Sequence, residues 1–277
     1  MQNRITAALC LLLCLLVLGG CVAPAGDAQP ELVLEVFAVG KADAMLLTLG
    51  DVHVMIDTGE NGDGKELCEA LRTREIEKLD LLILTHFDKD HIGGADRILQ
   101  NFAVQTVRMP DYETNTEQYE ELCDALAGAE AEVIRQSADE TFSLGGADFT
   151  IWASDVPFAG DNDNEQSLVT KVVCNGKSYL FAGDAEEEWL SHLCFSLRNL
   201  TCNVLKVPHH GGKDDSTFAL LTVTMPEYAI ITDSEKNAAS GNTLTLLEDF
   251  GAAVYRTAIG AIRLTQTGGV IRLAYVS

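Results

Sequence analysis

Thr85-His86-Phe87-Asp88-Lys89-Asp90-His91-Ile92-Gly93-Gly94 is the stretch on which the reading of this chain turns. Leu79 to Thr85 is a continuous apolar run and reads as a buried strand, whereas Asp90 to Gln100 has helical spacing. The decapeptide therefore sits where a strand ends and a helix begins. His86, Asp88, Asp90 and His91 fall within six residues. Imidazole suits zinc and other transition metals, and carboxylate oxygen also suits Mg, Mn and Ca. A charged surface turn is the plain alternative, but such a turn has no need of two histidines or of Gly93-Gly94 for a tight bend.

Working outward, the same placement recurs. Met55-Ile56-Asp57-Thr58-Gly59 and Phe181-Ala182-Gly183-Asp184 each put a carboxylate after an apolar strand, and Val207-Pro208-His209-His210-Gly211-Gly212 puts two histidines after another. Alone, each reads equally well as a turn or cap. Together with the first cluster, all lie at strand ends that can share one edge of a sandwich. The remaining order alternates. Short β-rich runs at Leu32 to Ala38, Ala44 to Leu49 and Val52 to Ile56 are followed by a helix over Glu66 to Arg74. Beyond the decapeptide come a strand at Thr106 to Met109, a helix at Thr116 to Ala127, and strands near Phe149 to Ala153, Leu168 to Val173 and Ser178 to Phe181. Helices at Glu186 to Leu197, Ser216 to Leu221 and Thr243 to Phe250 alternate with strands at Cys202 to Val207 and Ala229 to Thr232, and closing strands run to Tyr275. Two mixed sheets with outer helices would bury this pattern.

The chain has 277 residues, 47% of them hydrophobic and 22% charged, as expected of a packed globular chain. Residues 32–277 contain no repeat, low-complexity tract or linker and read as one domain. The formal charge of −23 excludes a basic nucleic-acid footprint. At the start, Ile5 to Leu18 is an almost unbroken apolar run after Arg4, too short for the about 20 residues of a membrane-spanning helix. It reads as an export signal over 1–20. Leu18-Gly19-Gly20-Cys21 resembles a bacterial lipobox, which predicts an exported lipoprotein on the outer face of the cell membrane, attached through a lipidated Cys21 and a tether over 21–31. An ordinary cleaved signal and an uncleaved anchor are the other readings. Cys68, Cys123, Cys174, Cys194 and Cys202 show no disulfide framework and read as free thiols, with Cys194 and Cys202 the one pair that could join.

The ordered series of motifs resembles the metallo-β-lactamase fold, most closely the metallo-β-lactamase domain of the competence protein ComEC and its free-standing relatives. Val39-Gly40-Lys41-Ala42-Asp43-Ala44 resembles the family's Val-Gly-x-Gly-Asp-Ala stretch, with Ala42 in place of a glycine. Asp57 matches the first motif, His86 to His91 the second, Gly183-Asp184 the fourth and Leu205 to Gly211 the fifth, while Asn164-Glu165-Gln166-Ser167 matches the Asn-x-x-Ser segment of the ComEC branch. The resemblance implies a four-layer αβ/βα sandwich, with two mixed β-sheets and helices on the outer faces. It also implies one or two divalent ions, Mn or Zn with Mg as a further choice. A first metal position would use His86, Asp88 and Asp184, with Asn164 as a weak oxygen donor; a second would use Asp90, His91, Asp184 and His209.

Three departures bear on that set. Asp88 stands where the wider fold has a histidine, no histidine lies between His91 and His192, and the His-Pro of the ComEC branch is replaced within Asn237 to Thr243. Carboxylate donors at the first position favour Mn over Zn, and the missing histidine disfavours β-lactam or thioester hydrolysis.

The activity implied is metal-dependent hydrolysis of phosphodiesters through a metal-bound hydroxide, by a phosphodiesterase or nuclease. Asp90 would steer the nucleophile, Asp184 bridge the metals and Asp57 orient ligands. His210 or Lys206 would meet the leaving oxygen or phosphate, and Asn164 and Ser167 would face substrate. The charge argues for a short oligonucleotide, a nucleotide or an envelope phosphodiester rather than long duplex DNA. The other functional class is a tethered binding module of the same fold without turnover. His53 and His192 match no motif, Asp161 to Asn164 reads as an Asx-rich turn, and Glu186-Glu187-Glu188 as a solvated helix start.

Overall fold

The computed structural model describes residues 31–158 and 162–276. The export segment, Cys21 and Asp161 lie outside the described residues. Among the described residues, no helix is long and apolar enough to cross a membrane.

The first half runs β1 (Leu32–Val36), β2 (Ala44–Leu49), β3 (Val52–Thr58), α1 (Gly64–Thr73), β4 (Lys78–Ile83), α2 (Lys89–Ile92), α3 (Ala95–Asn101), β5 (Ala103–Pro110), α4 (Glu117–Gly128) and β6 (Glu132–Gln136). Then follow β7 (Glu140–Leu144), β8 (Ala147–Trp152), β9 (Val169–Cys174), β10 (Lys177–Phe181), α5 (Glu187–Cys194), β11 (Val204–Lys206), α6 (Thr217–Thr224), β12 (Tyr228–Ile231), α7 (Gly241–Asp249), β13 (Ala253–Arg256), β14 (Ala261–Thr267) and β15 (Val270–Val276). One sheet has the order β15-β14-β1-β2-β3-β4-β5-β6 and the other β13-β12-β11-β10-β9-β8-β7.

The apolar periodicity explains the layers. Leu34, Val36, Leu47 and Ile56 pack between the sheets against Phe149, Val172, Tyr179 and Phe181. The other face of the first sheet meets α1, α3 and α4 through Leu67, Leu71, Ile98 and Leu122. The other face of the second meets α5, α6 and α7 through Trp189, Leu190, Leu221 and Leu247. This is the expected four-layer α/β sandwich. Strands β3 to β6 and β10 to β13 are parallel within each sheet. Their carboxyl ends therefore lie on a common edge, the side on which open α/β sheets bind ligands.

The structure refines several expectations. The helix expected over Asp90 to Gln100 is two helices, because Gly93 and Gly94 pass against the loop after β3. A Cβ on Gly93 would lie 2.4 Å from Asn61 N, and one on Gly94 would lie 2.4 Å from Thr58 O. The pair thus serves close backbone approach, and neither residue has a left-handed φ. Strands β6 and β7 were not legible, since Glu-Val-Ile-Arg-Gln and Glu-Thr-Phe-Ser-Leu end the two sheets and are largely exposed. Cys68, Cys123, Cys174, Cys194 and Cys202 are free thiols, so Cys194 and Cys202 do not pair.

Candidate metal centre

The loops after β4, β10 and β11 bring His86, Asp90, His91, Asp184 and His210 together. Ligand atoms of His86, His91 and Asp184 lie within 4.8 Å of one another, and so do those of Asp90, His91 and His210. His91 Nε2 is 3.3 Å from Asp184 Oδ1, while His210 Nε2 is 3.1 Å from Asp184 Oδ2 and 3.4 Å from Asp90 Oδ2. Asp184 thus stands between the two groups. Asp88 is at the mouth, 3.7 Å from His86 Nε2 and 47% exposed.

Each imidazole is held from behind by its Nδ1. His91 Nδ1 donates to Asp57 Oδ2 at 2.8 Å. Thr85 Oγ1 also donates to Asp57, at 2.7 Å, and that leaves its oxygen to accept from His86 Nδ1 at 3.1 Å. His210 Nδ1 donates to the Thr232 carbonyl at 2.9 Å. Such contacts set the tautomer and leave the opposite nitrogen as a bare donor pair. Asp57 adopts φ 56° to reach behind His91, and its second oxygen accepts from Thr85 N at 2.8 Å.

Among the described residues, His86 Nε2, His91 Nε2, His210 Nε2 and Asp184 Oδ1 are buried with no hydrogen-bond partner. A buried polar atom left unpaired costs about 1–3 kcal/mol. Three imidazole nitrogens converging with the Asp184 and Asp90 carboxylates fit a divalent transition metal, and the donor chemistry agrees. A third grouping, Asp43, Asp57 and His91, takes no ion because the Lys206 ammonium already contacts Asp43 Oδ2.

The charges compensate within this dry volume. Burial pushes Asp184 up, but the His91 and His210 charges outweigh it and hold the carboxyl well below its ordinary range. Burial likewise opposes ionisation of Asp90, yet the His210 hydrogen bond and the His91 charge bring it to about 2. Burial would lower His210, but Asp184 beside it, with Asp43 and Asp90, raises it to about 10. Lys206 is raised because Asp43 and Asp184 overcome its desolvation. Metal uptake by such imidazoles displaces protons.

Three expected site residues fall elsewhere. His209 and His210 both adopt left-handed backbone, φ 47° and 52°, ahead of Gly211 at φ 72°. This twist sends the two rings in different directions. His210 enters the cluster with a 1% exposed side chain, whereas His209 is 32% exposed and bonds Glu186 Oε1 at 2.8 Å. The structure therefore places His210, and not the expected His209, among the metal-capable atoms of the cluster. Lys206 is 1% exposed beneath the cluster, where it pairs with Asp43 rather than facing substrate. Ser167 is fully buried, and its Oγ accepts from Asp184 N at 3.1 Å, behind the cluster.

Asn164 is half-buried; its Nδ2 donates to Glu186 Oε1 at 3.1 Å, and its buried Oδ1 has no partner among the described residues. Glu186 is partly buried, with a side chain 25% exposed; it also accepts from Asn162, and its carboxyl is held at about 2, chiefly by the His209 hydrogen bond. Asp43 lies in the Val39 to Ala44 motif and carries no other mark in the sequence. Fully buried, it bonds Thr232 and pairs with Lys206, and its placement in Val39 to Ala44 was the available signal. His53 lies far along β3 beside Asp80, and His192 pairs with Asp155 at 2.7 Å, both outside the centre.

Residues 38–231 match the description of the metallo-beta-lactamase superfamily. The chain belongs to that family. It is 26% identical to ComE operon protein 3 of Bacillus subtilis (strain 168), over 90% of this chain and 34% of that protein. Competence protein ComA of Neisseria gonorrhoeae is 28% identical, over 80% of this chain and 30% of its own length. The chain thus spans about a third of the length of these curated relatives. The metallo-beta-lactamase fold protein YhfI from Bacillus subtilis superposes with a TM-score of 0.57 at 11% identity, covering 88% of this chain and 99% of that one. That likeness supports the fold alone.

Proposed function

We propose that this metallo-beta-lactamase superfamily member is a metal-dependent phosphodiesterase acting on short or small phosphodiesters. The observation that carries the reading is the convergence of three bare imidazole Nε2 atoms on Asp184 and Asp90. His86, Asp88 and Asp184 would hold one ion, and Asp90, His91, His210 and Asp184 the neighbouring one. A divalent cation there supplies an acidified water, with a pKa near about 7, and polarises a phosphoryl oxygen. Asp90, ionised beside that point, would steer the nucleophile by accepting a hydrogen bond from it. Asp57, Thr85 and Thr232 fix the rings so that no reorganisation is needed when substrate arrives. Lys206 and Asp43 close the floor of the site and keep water out.

Substrate size follows from charge. A cleft of about 400 Å³ is lined by Glu165, Glu186, Glu187, Lys213, Asp214 and Asp215. Five carboxylates against one lysine oppose a long polyanion, because duplex binding draws on clustered cations and counterion release. Export and attachment through a lipidated Cys21 belong to the same proposal and are supported by the apolar run and Leu18-Gly19-Gly20-Cys21. Activity of the purified chain on bis(p-nitrophenyl) phosphate, dinucleotides, long DNA and nitrocefin, each with Mn, Zn, Mg or Ca, tests the reading. Expected is turnover of the small diesters, highest with Mn. Metal-independent turnover, or nitrocefin as the preferred substrate, overturns it.

A further inference from the structure

Glu186 is the N-cap residue of α5 but makes no side-chain bond to that helix. The cap comes from the short 3-10 turn Asp163–Gln166, where Glu165 accepts from Glu188 N at 3.0 Å and from Trp189 N at 2.8 Å. In return Glu186 reaches back to that turn. Its Oε1 accepts from Asn164 Nδ2 at 3.1 Å and its Oε2 from Asn162 Nδ2 at 2.9 Å. Turn and helix thus exchange carboxylates, and Glu186 is free to hold the turn because Glu165 caps the helix.

The exchange fixes the Asn164 amide. The His209 hydrogen bond, chiefly, holds the Glu186 carboxyl at about 2, so it has no proton to give. Nδ2 must therefore face Glu186, and Oδ1 must face away from it. That oxygen is buried without a partner among the described residues, the condition also of His86 Nε2, His91 Nε2, His210 Nε2 and Asp184 Oδ1. An amide oxygen only accepts, so a bare buried one suits a cation and not an anion.

The turn is also tied to one side of the centre. Leu168 N donates to the Thr85 carbonyl at 2.8 Å, next to His86. Ser167 N donates to the Asn164 carbonyl at 3.0 Å, and Ser167 Oγ accepts from Asp184 N at 3.1 Å. Burial and then the Asp88 charge push the Asp163 carboxyl up, which puts the turn beside Asp88 as well. His86, Asp88 and Asp184 are the donors assigned to the first ion, and no histidine between His91 and His192 can join them.

We propose that Asn164 Oδ1 is a further donor to the first ion and that Glu186 is the positioning residue that turns it there. This rests on the metal-dependent reading for the presence of an ion. One imidazole nitrogen and three oxygens make a set that suits Mn better than Zn. A neutral amide adds no charge, so this ion should be the more loosely held of the two.

Calorimetric titration of the metal-free full chain with Mn, with elemental analysis after gel filtration, is the test; turnover of bis(p-nitrophenyl) phosphate is measured separately. The unaltered chain is expected to bind two Mn of unequal affinity. Asn164→Leu should weaken the looser ion about 10- to 100-fold and leave the tighter one unchanged, which also reports that the fold is intact. Glu186→Ala should weaken the same ion about 10-fold, because the amide is then free to turn. Glu186→Gln, which keeps an acceptor oxygen for Nδ2, should recover part of that loss. A single Mn in the unaltered chain, unchanged affinities in Asn164→Leu, or equal weakening of both ions overturns the proposal. An effect of Asn164→Leu with none of Glu186→Ala overturns the positioning role. If the Mn pattern is as expected but no diester is turned over, the donor role stands and the phosphodiesterase reading falls; if diesters are turned over and Asn164→Leu binds Mn normally, the reverse holds.

Discussion

Asp57 and His91 meet at 2.8 Å, Oδ2 to Nδ1, across 34 residues of sequence. The contact decides which nitrogen of His91 is free, and His91 belongs to both groupings of metal-capable residues around Asp184 and Asp90. Asparagine at position 57 tolerates the left-handed backbone, yet its amide can donate to Nδ1 and drive the proton to Nε2. Asp57→Asn should therefore weaken Mn binding about 10- to 100-fold. Calorimetric titration of metal-free protein checks this, and unchanged affinity would show that Asp57 does not set the tautomer.

The two adjacent histidines separate cleanly. His210→Ala removes a buried donor beside Asp90 and Asp184, so bound metal per chain should fall. His209→Ala leaves every bare donor of the centre in place and should retain its metal. Elemental analysis after gel filtration reads the difference; the reverse pattern would restore His209 as the ligand.

Lys206 and Asp43 form an ion pair with side chains 1% and 0% exposed. Removing one member of such a pair strands the other charge and typically costs about 3–5 kcal/mol. Lys206→Met should lower the stability of the metal-free chain by about that amount in urea unfolding. A change below about 1 kcal/mol would mean that water reaches Asp43, since pairs in contact with solvent are worth no more than that.

Acid stability should depend on Glu35, far from the centre. Burial pushes its carboxyl up, but the hydrogen bond and charge of Arg74, with Arg263, more than offset this, so it lies below the ordinary 4.5. Arg74 Nε is 2.8 Å away and Arg263 3.2 Å. A depressed folded value means that the contribution is complete above the unfolded value and is lost as pH falls through the folded one. Glu35→Gln should thus lower stability at pH 7 and flatten the loss of stability on acidification below pH 4.5. Urea midpoints across that range check it; parallel curves for the two proteins would contradict it.

Much of the centre was legible because its residues occupy short local patterns. Asp57, His86 to His91 and Asp184 each follow an apolar strand, and strand polarity alone sends such residues to one edge of a parallel sheet. The layers were legible for the same reason, since each strand and helix carries its own apolar period. Edge strands β6 and β7 lack that period because one or both faces meet solvent, and polar strands resemble loops in a sequence.

The sequence by itself determined the order of elements, the metal-capable residue types and the strand ends at which they sit, because these depend on local spacing and burial. Only the tertiary structure decided which of His209 and His210 turns inward, since two left-handed residues in succession break the alternation that spacing relies on. It also decided that Lys206 and Ser167 brace the centre from behind, that Asp43 neutralises Lys206, and that Glu186 serves His209 rather than its own helix. Each of those roles depends on a partner in another loop, and distances between loops are set by packing of the two sheets, which no local pattern encodes.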